Sequence, residues 1–231
     1  MKAVILAGGK GTRLRPYSMF IPKPLVPVGD RPILEILLKR LRQCGVHEVV
    51  VCVNHLAEVI MSYFGDGSRF DVQMEYSLED TPLSTVAPLK LLKSLPENFL
   101  VVNGDLLTDL DFSVLFEYHL QKKGILTVAV QKRRVNIDFG VIEVDERREI
   151  AVGFQEKPDY DLNVSMGVYV FNKRLLDYIP DSKPFGFDNL MSLLLAQKQR
   201  VHIYQYEGFW LDIGRPDDYE KALENIDHLQ L

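Results

Sequence analysis

Residues 3–24 read AVILAGGKGTRLRPYSMFIPKP, a short apolar run that turns at once into a loop rich in glycine and cations. Ala3–Leu6 has the character of a buried strand. Gly8, Gly9 and Gly11 allow a tight turn and let backbone N–H groups approach a ligand closely. Lys10, Arg13, Arg15 and Lys23 make that turn positive, and the first acidic residue of the chain is Asp30. Residues 1–29 thus hold five Lys/Arg and no Asp/Glu, where composition alone would place about four acids. A strand that runs into a glycine turn lined with cations and free of carboxylates suits a polyphosphate. The Walker pattern is absent, however, and in the dinucleotide pattern G-x-G-x-x-G the third glycine is replaced by Leu14.

Outward from that stretch, short β-rich runs alternate with amphipathic ones. The pattern predicts a strand over 2–6 and a helix over 32–44, with Ile33, Leu37, Leu41 and Cys44 on one face. Asp30 would cap that helix and Gly45 would end it. Strands follow over 48–53, 72–76, 99–103 and 125–130, with helices over 55–64, 85–95 and 111–123. Leu89 and Leu92 would face inward, and Gly124 would stop the third of these helices. This β-α-β-α-β order predicts an α/β fold with a doubly wound, mostly parallel, Rossmann-like sheet. After about residue 130 the strands at 140–144, 150–155 and 164–171 have short links and look like an antiparallel addition. Helices over 187–197 and 217–227 would flank a strand over 201–206. With no linker, low-complexity tract or hexapeptide repeat, the expectation is one mixed-sheet domain over 1–231 without a C-terminal β-helix. Its halves would be a nucleotide-binding part (about 1–130) and a sugar-phosphate-binding part (about 131–231).

The 231 residues are 47% hydrophobic and 26% charged, ordinary for a soluble globular chain with ample material for a core. The apolar run at 3–7 is too short for a signal peptide, and no stretch approaches the ~20 apolar residues of a membrane span. Cys44 and Cys52 read as buried free thiols, which suits a cytoplasmic protein. The five histidines lack metal-ligand spacing, and a net charge of −5 argues against nucleic acid as a partner.

In open α/β sheets, ligands bind beyond the carboxyl ends of the strands. The glycine loop follows the first strand and Asn103-Gly104-Asp105 follows another, so both belong to one edge. Asp105 there can hold Mg²⁺, or it can simply cap the next turn. Asp212 in Trp210-Leu211-Asp212-Ile213-Gly214 offers a second carboxylate, although alone it reads as a loop or cap residue. Lys157 alone reads as a solvated lysine before Pro158.

LAGG-x-GTRL-x-P followed by PKP closely resembles the signature of the sugar-1-phosphate nucleotidylyltransferases. Further motifs follow in order: Asn103-Gly104-Asp105, Phe139-Gly140-Val141, Glu156-Lys157-Pro158, Gly167-Val168-Tyr169, and Trp210-x-Asp212-Ile213-Gly214. Together they look most like the catalytic core of the mannose-1-phosphate guanylyltransferases, with the glucose-1-phosphate thymidylyl- and uridylyltransferases as alternatives. The resemblance implies that an NTP and a sugar 1-phosphate give an NDP-sugar and pyrophosphate, with Mg²⁺ as cofactor and a homodimer left open. It implies that Leu6, Ala7, Gly8 and Gly9 cradle the nucleoside, with Leu83, Ser84, Thr85, Asn103 and Gly104 also at the nucleotide. Gly11, Thr12 and Arg13 would hold the triphosphate. Arg13, Lys23 and Asp105 would be catalytic, and Asp105 and Asp212 would bind the metal. Gly140, Glu156, Lys157 and Ser165 would hold the sugar phosphate.

Two departures stand out. The base-binding loop of the family usually reads Leu-Gly-Thr-Ala-Gly, where this chain has Leu83-Ser84-Thr85-Val86-Ala87. Side chains in place of glycine would be felt where a flat base meets bare backbone, so base choice would change. Ser165-Met166-Gly167 replaces a common Asn-Ala-Gly, which implies a different sugar contact. The rival expectation is a non-catalytic sugar-nucleotide sensor. Such a sensor should lack a reacting-centre cation or a metal carboxylate, and Arg13, Lys23, Asp105 and Asp212 are all present.

Overall fold

The opening apolar run becomes β1 (Lys2–Leu6), an inner strand whose Ala3 and Ile5 point to one face of a large sheet and Val4 to the other. The computed structural model describes residues 1–225 except Lys10, Pro16, Asp80 and Ser182. The expected loop cation Lys10 and the tail of the last expected helix beyond 225 therefore lie outside the described residues.

A tight hairpin, β2 (Pro27–Val28) and β3 (Arg31–Pro32), leads into α1 (Ile33–Gln43). Asp30 sits in the hairpin turn and does not cap α1; Pro32 holds the cap position without a side-chain bond. Gly45 ends α1 as expected, at a φ of +79° that favours glycine. Next come β4 (Glu48–Val53), α2 (Ala57–Phe64), β5 (Gln73–Leu78), β6 (Asn98–Asn103), β7 (Leu106–Thr108) and α3 (Phe112–Lys122). Asp111 caps α3 by accepting the Ser113 and Val114 N–H groups. The second half brings β8 (Leu126–Asn136), β9 (Val141–Asp145), β10 (Ile150–Gln155), β11 (Asp159–Asn172), α4 (Phe187–Ala196), β12 (Val201–Tyr206), β13 (Trp210–Asp212) and α5 (Pro216–Asn225).

The expected helix over 85–95 is only a 3₁₀ turn, Ala87–Leu91. Pro88 lacks an N–H, and the Val86 and Ala87 N–H groups are taken by the Phe185 carbonyl instead of a growing helix. Leu89 is fully buried.

Seven strands form one mixed sheet in the order β12-β8-β11-β6-β1-β4-β5. All are parallel except β11, which runs antiparallel to both β6 and β8. β9 and β10 form a separate antiparallel ribbon. One core packs the sheet against α1, α2 and α3, and a second packs the opposite face against α4. A third, small core gathers Leu14, Val26, Val28, Ile33, Leu107, Ile213 and Ala222, and so ties the glycine loop to β7, α1 and α5. No described helix is long and apolar enough to cross a membrane.

Candidate active site

β1 and β6 are parallel neighbours with Leu6 opposite Asn103, so the glycine turn and Asn103-Gly104-Asp105 leave the sheet at the same carboxyl edge. The Gly104 N–H donates to the Leu6 carbonyl at 2.9 Å. A Cβ on Gly104 would come within 3.1 Å of that oxygen, so glycine permits the two loops to touch. Gly11 has φ +60°, and a Cβ there would meet Ser18 at 3.2 Å and Lys23 at 3.3 Å. Ser18 locks the turn by donating to the Gly11 carbonyl at 2.6 Å. The PKP segment is thus pressed against the glycine loop.

A cavity of about 620 Å³ opens at this edge. Of the expected nucleotide residues, Leu6, Ala7, Gly8, Gly9, Gly11, Thr12, Arg13, Ser84, Thr85, Asn103 and Gly104 line it. Leu83 does not. Its N–H donates to Glu79 Oε2 at 3.0 Å and its carbonyl accepts from Phe185, so it braces the loop. Ser84 holds a φ of +69°, strained for a residue with a side chain, at a position where the resemblance has glycine.

Lys23, Asp105 and Asp212 also line the cavity. The Lys23 ammonium pairs with Asp105 Oδ2, with side-chain exposures of 10% and 24%. The short β7–β13 pairing sets Asp212 opposite Leu106, and the Ile213 N–H donates to the Asp105 carbonyl at 3.0 Å. Two carboxylates 107 residues apart in sequence thereby become neighbours. Burial and the nearby Asp105 charge push the Asp212 carboxyl above the usual carboxylate range, against the opposing pull of Lys23 and Arg13. One buried oxygen on each, Asp105 Oδ1 and Asp212 Oδ1, has no hydrogen-bond partner. Paired hard oxygens, electrostatically in tension and lacking donors, fit a divalent cation of the Mg²⁺ type.

Several cavity residues were not singled out from sequence. Asn54 follows β4 and Glu79 follows β5, and both line the cavity. The strand-end rule that found Asp105 would have found them too. Glu79 is only 6% exposed, and burial raises its carboxyl despite the Leu83 N–H. A Cβ on Gly8 would lie 2.9 Å from Glu79 Oε1, so that glycine makes room for the carboxylate. Cys52 is also at the wall, but burial pushes its thiol up to about 12 and leaves it without nucleophilic character.

The expected sugar-phosphate residues are placed differently. Gly140, Glu156, Lys157 and Ser165 do not line the cavity. Gly140 and Glu156 lie together at the base of the β9–β10 ribbon, where a Cβ on Gly140 would meet Phe154 at 2.7 Å and Glu156 Oε2 at 3.3 Å. Lys157 is half exposed and pairs with Asp138 at 3.0 Å. The Ser165 hydroxyl donates to the Tyr169 hydroxyl at 3.2 Å. Met166 is fully buried in the main core, its carbonyl accepting from Trp210 Nε1 at 2.9 Å. The thioether is thereby enclosed in the core, at the position where departure from the family pattern implied a different sugar contact. A recess of about 160 Å³ shares Arg13, Asp212 and Gly214 with the main cavity and adds Arg133 and Arg215.

The family model described as Nucleotidyl transferase matches residues 2–228. The UTP–glucose-1-phosphate uridylyltransferase of Synechocystis is 35% identical over 98% of this chain, and the mannose-1-phosphate guanylyltransferase catalytic subunit beta of Dictyostelium discoideum is 34% identical over 95%. The matches span 63% and 62% of those proteins. Among solved structures, HddC from Yersinia pseudotuberculosis in complex with GMP-PN superposes with a TM-score of 0.73 at 26% identity, covering 97% of this chain and 99% of that one.

Proposed function

Because this chain belongs to the nucleotidyl transferase family, we propose that it transfers a nucleotidyl group from an NTP to a sugar 1-phosphate, releasing pyrophosphate. The observation that carries this reading is the single cavity in which the glycine turn, Arg13, Lys23 and the Asp105–Asp212 pair converge. The sugar-phosphate oxygen forms a bond to the α-phosphorus while the bond to the β-phosphate breaks, and pyrophosphate leaves with the electron pair. The nucleophile is already an anion, so the site needs alignment and charge neutralisation more than proton transfer. Backbone N–H groups of the glycine turn hold the phosphates, Arg13 meets the departing pyrophosphate, and Lys23 meets the reacting phosphates. Mg²⁺ held by Asp105 and Asp212 would supply further neutralisation of phosphate charge.

Guanylyl transfer to mannose 1-phosphate or a related sugar is the first choice, supported by the names of several relatives and by the nucleotide in the HddC complex. Uridylyl transfer to glucose 1-phosphate is the alternative, named for the Synechocystis relative. Glu79 and the Ser84–Thr85 wall sit at the nucleotide end and would act on base choice. Gly140, Glu156, Lys157 and Ser165, on the ribbon and β11, would receive the sugar phosphate from the second half of the chain. The enzyme would work in the cytoplasm, alone or as a homodimer.

The test is a screen of GTP, UTP, dTTP, CTP and ATP against a panel of sugar 1-phosphates with Mg²⁺, read by pyrophosphate release and by the mass of the NDP-sugar. A protein that binds nucleotides yet releases no pyrophosphate with any pair would be a sensor. Lys157→Ala should raise KM for the sugar phosphate and leave that for the NTP nearly unchanged. An equal rise in both would reject the assignment of Lys157 to the sugar side.

A further inference from the structure

At the opposite edge of the sheet, where β8 and β12 begin and β11 ends, lies a second cavity of about 870 Å³. The strands between the two edges are about six residues long, which separates the cavities by roughly 20 Å. The wall carries Lys122, Lys123, Arg174, Lys198 and Arg200 and a single carboxylate, Asp177. That reverses the sign of a chain whose net charge is −5. Among the described residues none of these five cations is held in an ion pair.

Helix chemistry explains part of this cluster. α3 and α4 both finish at the cavity, and Lys122, Lys123 and Lys198 sit where cations complement terminal carbonyls. Arg174 and Arg200 lie on neither helix: one follows β11 and the other precedes β12. Arg174 is also fixed from the interior. Its Nε donates at 2.9 Å to Oδ1 of Asn172, which is 4% exposed. The Asn172 amide donates to Asn98 Oδ1 at 2.9 Å, and buried His119 joins the same oxygen at 3.1 Å and the Thr127 hydroxyl at 2.8 Å. This buried polar chain holds the guanidinium at the wall, and its terminal nitrogens make no hydrogen bond among the described residues. Such support is what a preorganised binding group requires, and a merely solvated arginine does without it. Gly124 completes the wall: a Cβ there would come within 2.4 Å of His202 Cδ2, so glycine leaves the space the imidazole occupies.

We propose that this cavity is a second ligand site, distinct from the catalytic one, for a small molecule bearing a diphosphate group. Two guanidiniums suit phosphate oxygens in forked geometry. The cations come from three separate segments, 122–123, 174 and 198–200, a spread that suits two linked phosphoryl groups better than one. The charge is gathered around one open concavity and not drawn out as a stripe, which favours a small ligand over a nucleic acid backbone.

The test titrates the full chain with inorganic pyrophosphate and with GDP at constant ionic strength, following the His202 imidazole by NMR and the heat by calorimetry. The His202 signals should move with saturation in the wild type for at least one of the two ligands. Tighter binding of GDP would place a nucleoside beside the diphosphate, and equal binding would assign the site to the diphosphate alone. The Arg174→Gln/Arg200→Gln double variant should weaken this binding about ten-fold or more. Lys23→Ala, at the other edge, should leave the His202 response in place. Because the wild-type His202 response needs no variant, misfolding of the double variant would not remove the test. Absence of any His202 shift with either ligand would overturn the proposal. So would unchanged affinity in a folded double variant, or a response to an oligonucleotide alone.

Discussion

Asp212→Asn is expected to stabilise the unliganded protein while removing its activity. In the wild type Asp212 and Asp105 each carry a buried oxygen without a partner, and burial together with the Asp105 charge raises the cost of charge on Asp212. A buried polar atom left unpaired costs about 1–3 kcal/mol. Lys23 and Arg13 offset part of that at Asp212, so neutralising it should recover about 1–2 kcal/mol of this range. The amide keeps the shape of the side chain, so no cavity term enters. At roughly 2–4 °C per kcal/mol for a domain of this size, the melting temperature should rise by about 2–8 °C in the presence of a chelator. The pH dependence has a definite sign. The carboxyl binds its proton more tightly in the fold than in the unfolded chain, so its destabilising effect is full above its raised pKa. The advantage of the variant should shrink as pH falls through that pKa. Added Mg²⁺ should raise the melting temperature of the wild type by mass action and do little for the variant. Paired melts in chelator and in Mg²⁺, with pyrophosphate release alongside, read all of this. A variant that melts lower in chelator, or that keeps the wild-type gain from Mg²⁺, would refute the assignment of the two carboxylates as a strained ion site.

Lys23→Ala should lower kcat about 10²–10³-fold with a much smaller change in NTP affinity, the loss typical of one preorganised contact to developing charge; steady-state kinetics with NTP binding measured separately decides it. Ser84→Gly with Ala87→Gly should shift the ratio of kcat/KM between two NTPs by about 1–3 kcal/mol. The same change should leave stability roughly level, since relief of the side chain at φ +69° on Ser84 is offset by loss of the buried Ala87 methyl, and unchanged ratios would separate this loop from base choice. His119 is buried and neutral, its pKa lowered to about 4 mainly by burial. Its stabilising contribution is therefore full above 6.5 and lost as pH falls from 6.5 towards 4. Chemical denaturation of wild type against His119→Gln should show a difference that closes by on the order of 3 kcal/mol across that window.

Elements whose signal is local were legible in the chain. β1, β4 and β6 are apolar runs bounded by turn residues, and α1 and α3 show a helical period; α1 ends at the expected Gly45, whereas α3 turns at a left-handed Lys123, one residue before the expected Gly124. Composition and spacing located the glycine loop, and resemblance to a known family gave its residues their expected roles. Where local signal competed with a distant partner, the sequence misled. The 85–95 segment carries apolar spacing that suits a helix, but Phe185 takes its first N–H groups and Pro88 offers none. Asp30 has the right identity for a cap and the wrong position, because Arg31 and Pro32 are used to close a hairpin.

The sequence by itself determined which backbone could bend around a phosphate, since glycine at the turn after β1 is a property of single residues. It also determined that this turn would be positive and that strands would alternate with helices. Only the tertiary structure decided which carboxylates meet. Asp105 and Asp212 are joined by a three-residue pairing of β7 with β13, a contact with no periodic signature. It likewise decided that Glu79 and Asn54 reach the cavity, because strand order is set by packing both faces of one sheet. It buried Met166, which comparison with the family pattern had put beside the sugar. Local chemistry is written along the chain, whereas adjacency across a sheet depends on which pairing buries the most apolar surface with every backbone group satisfied.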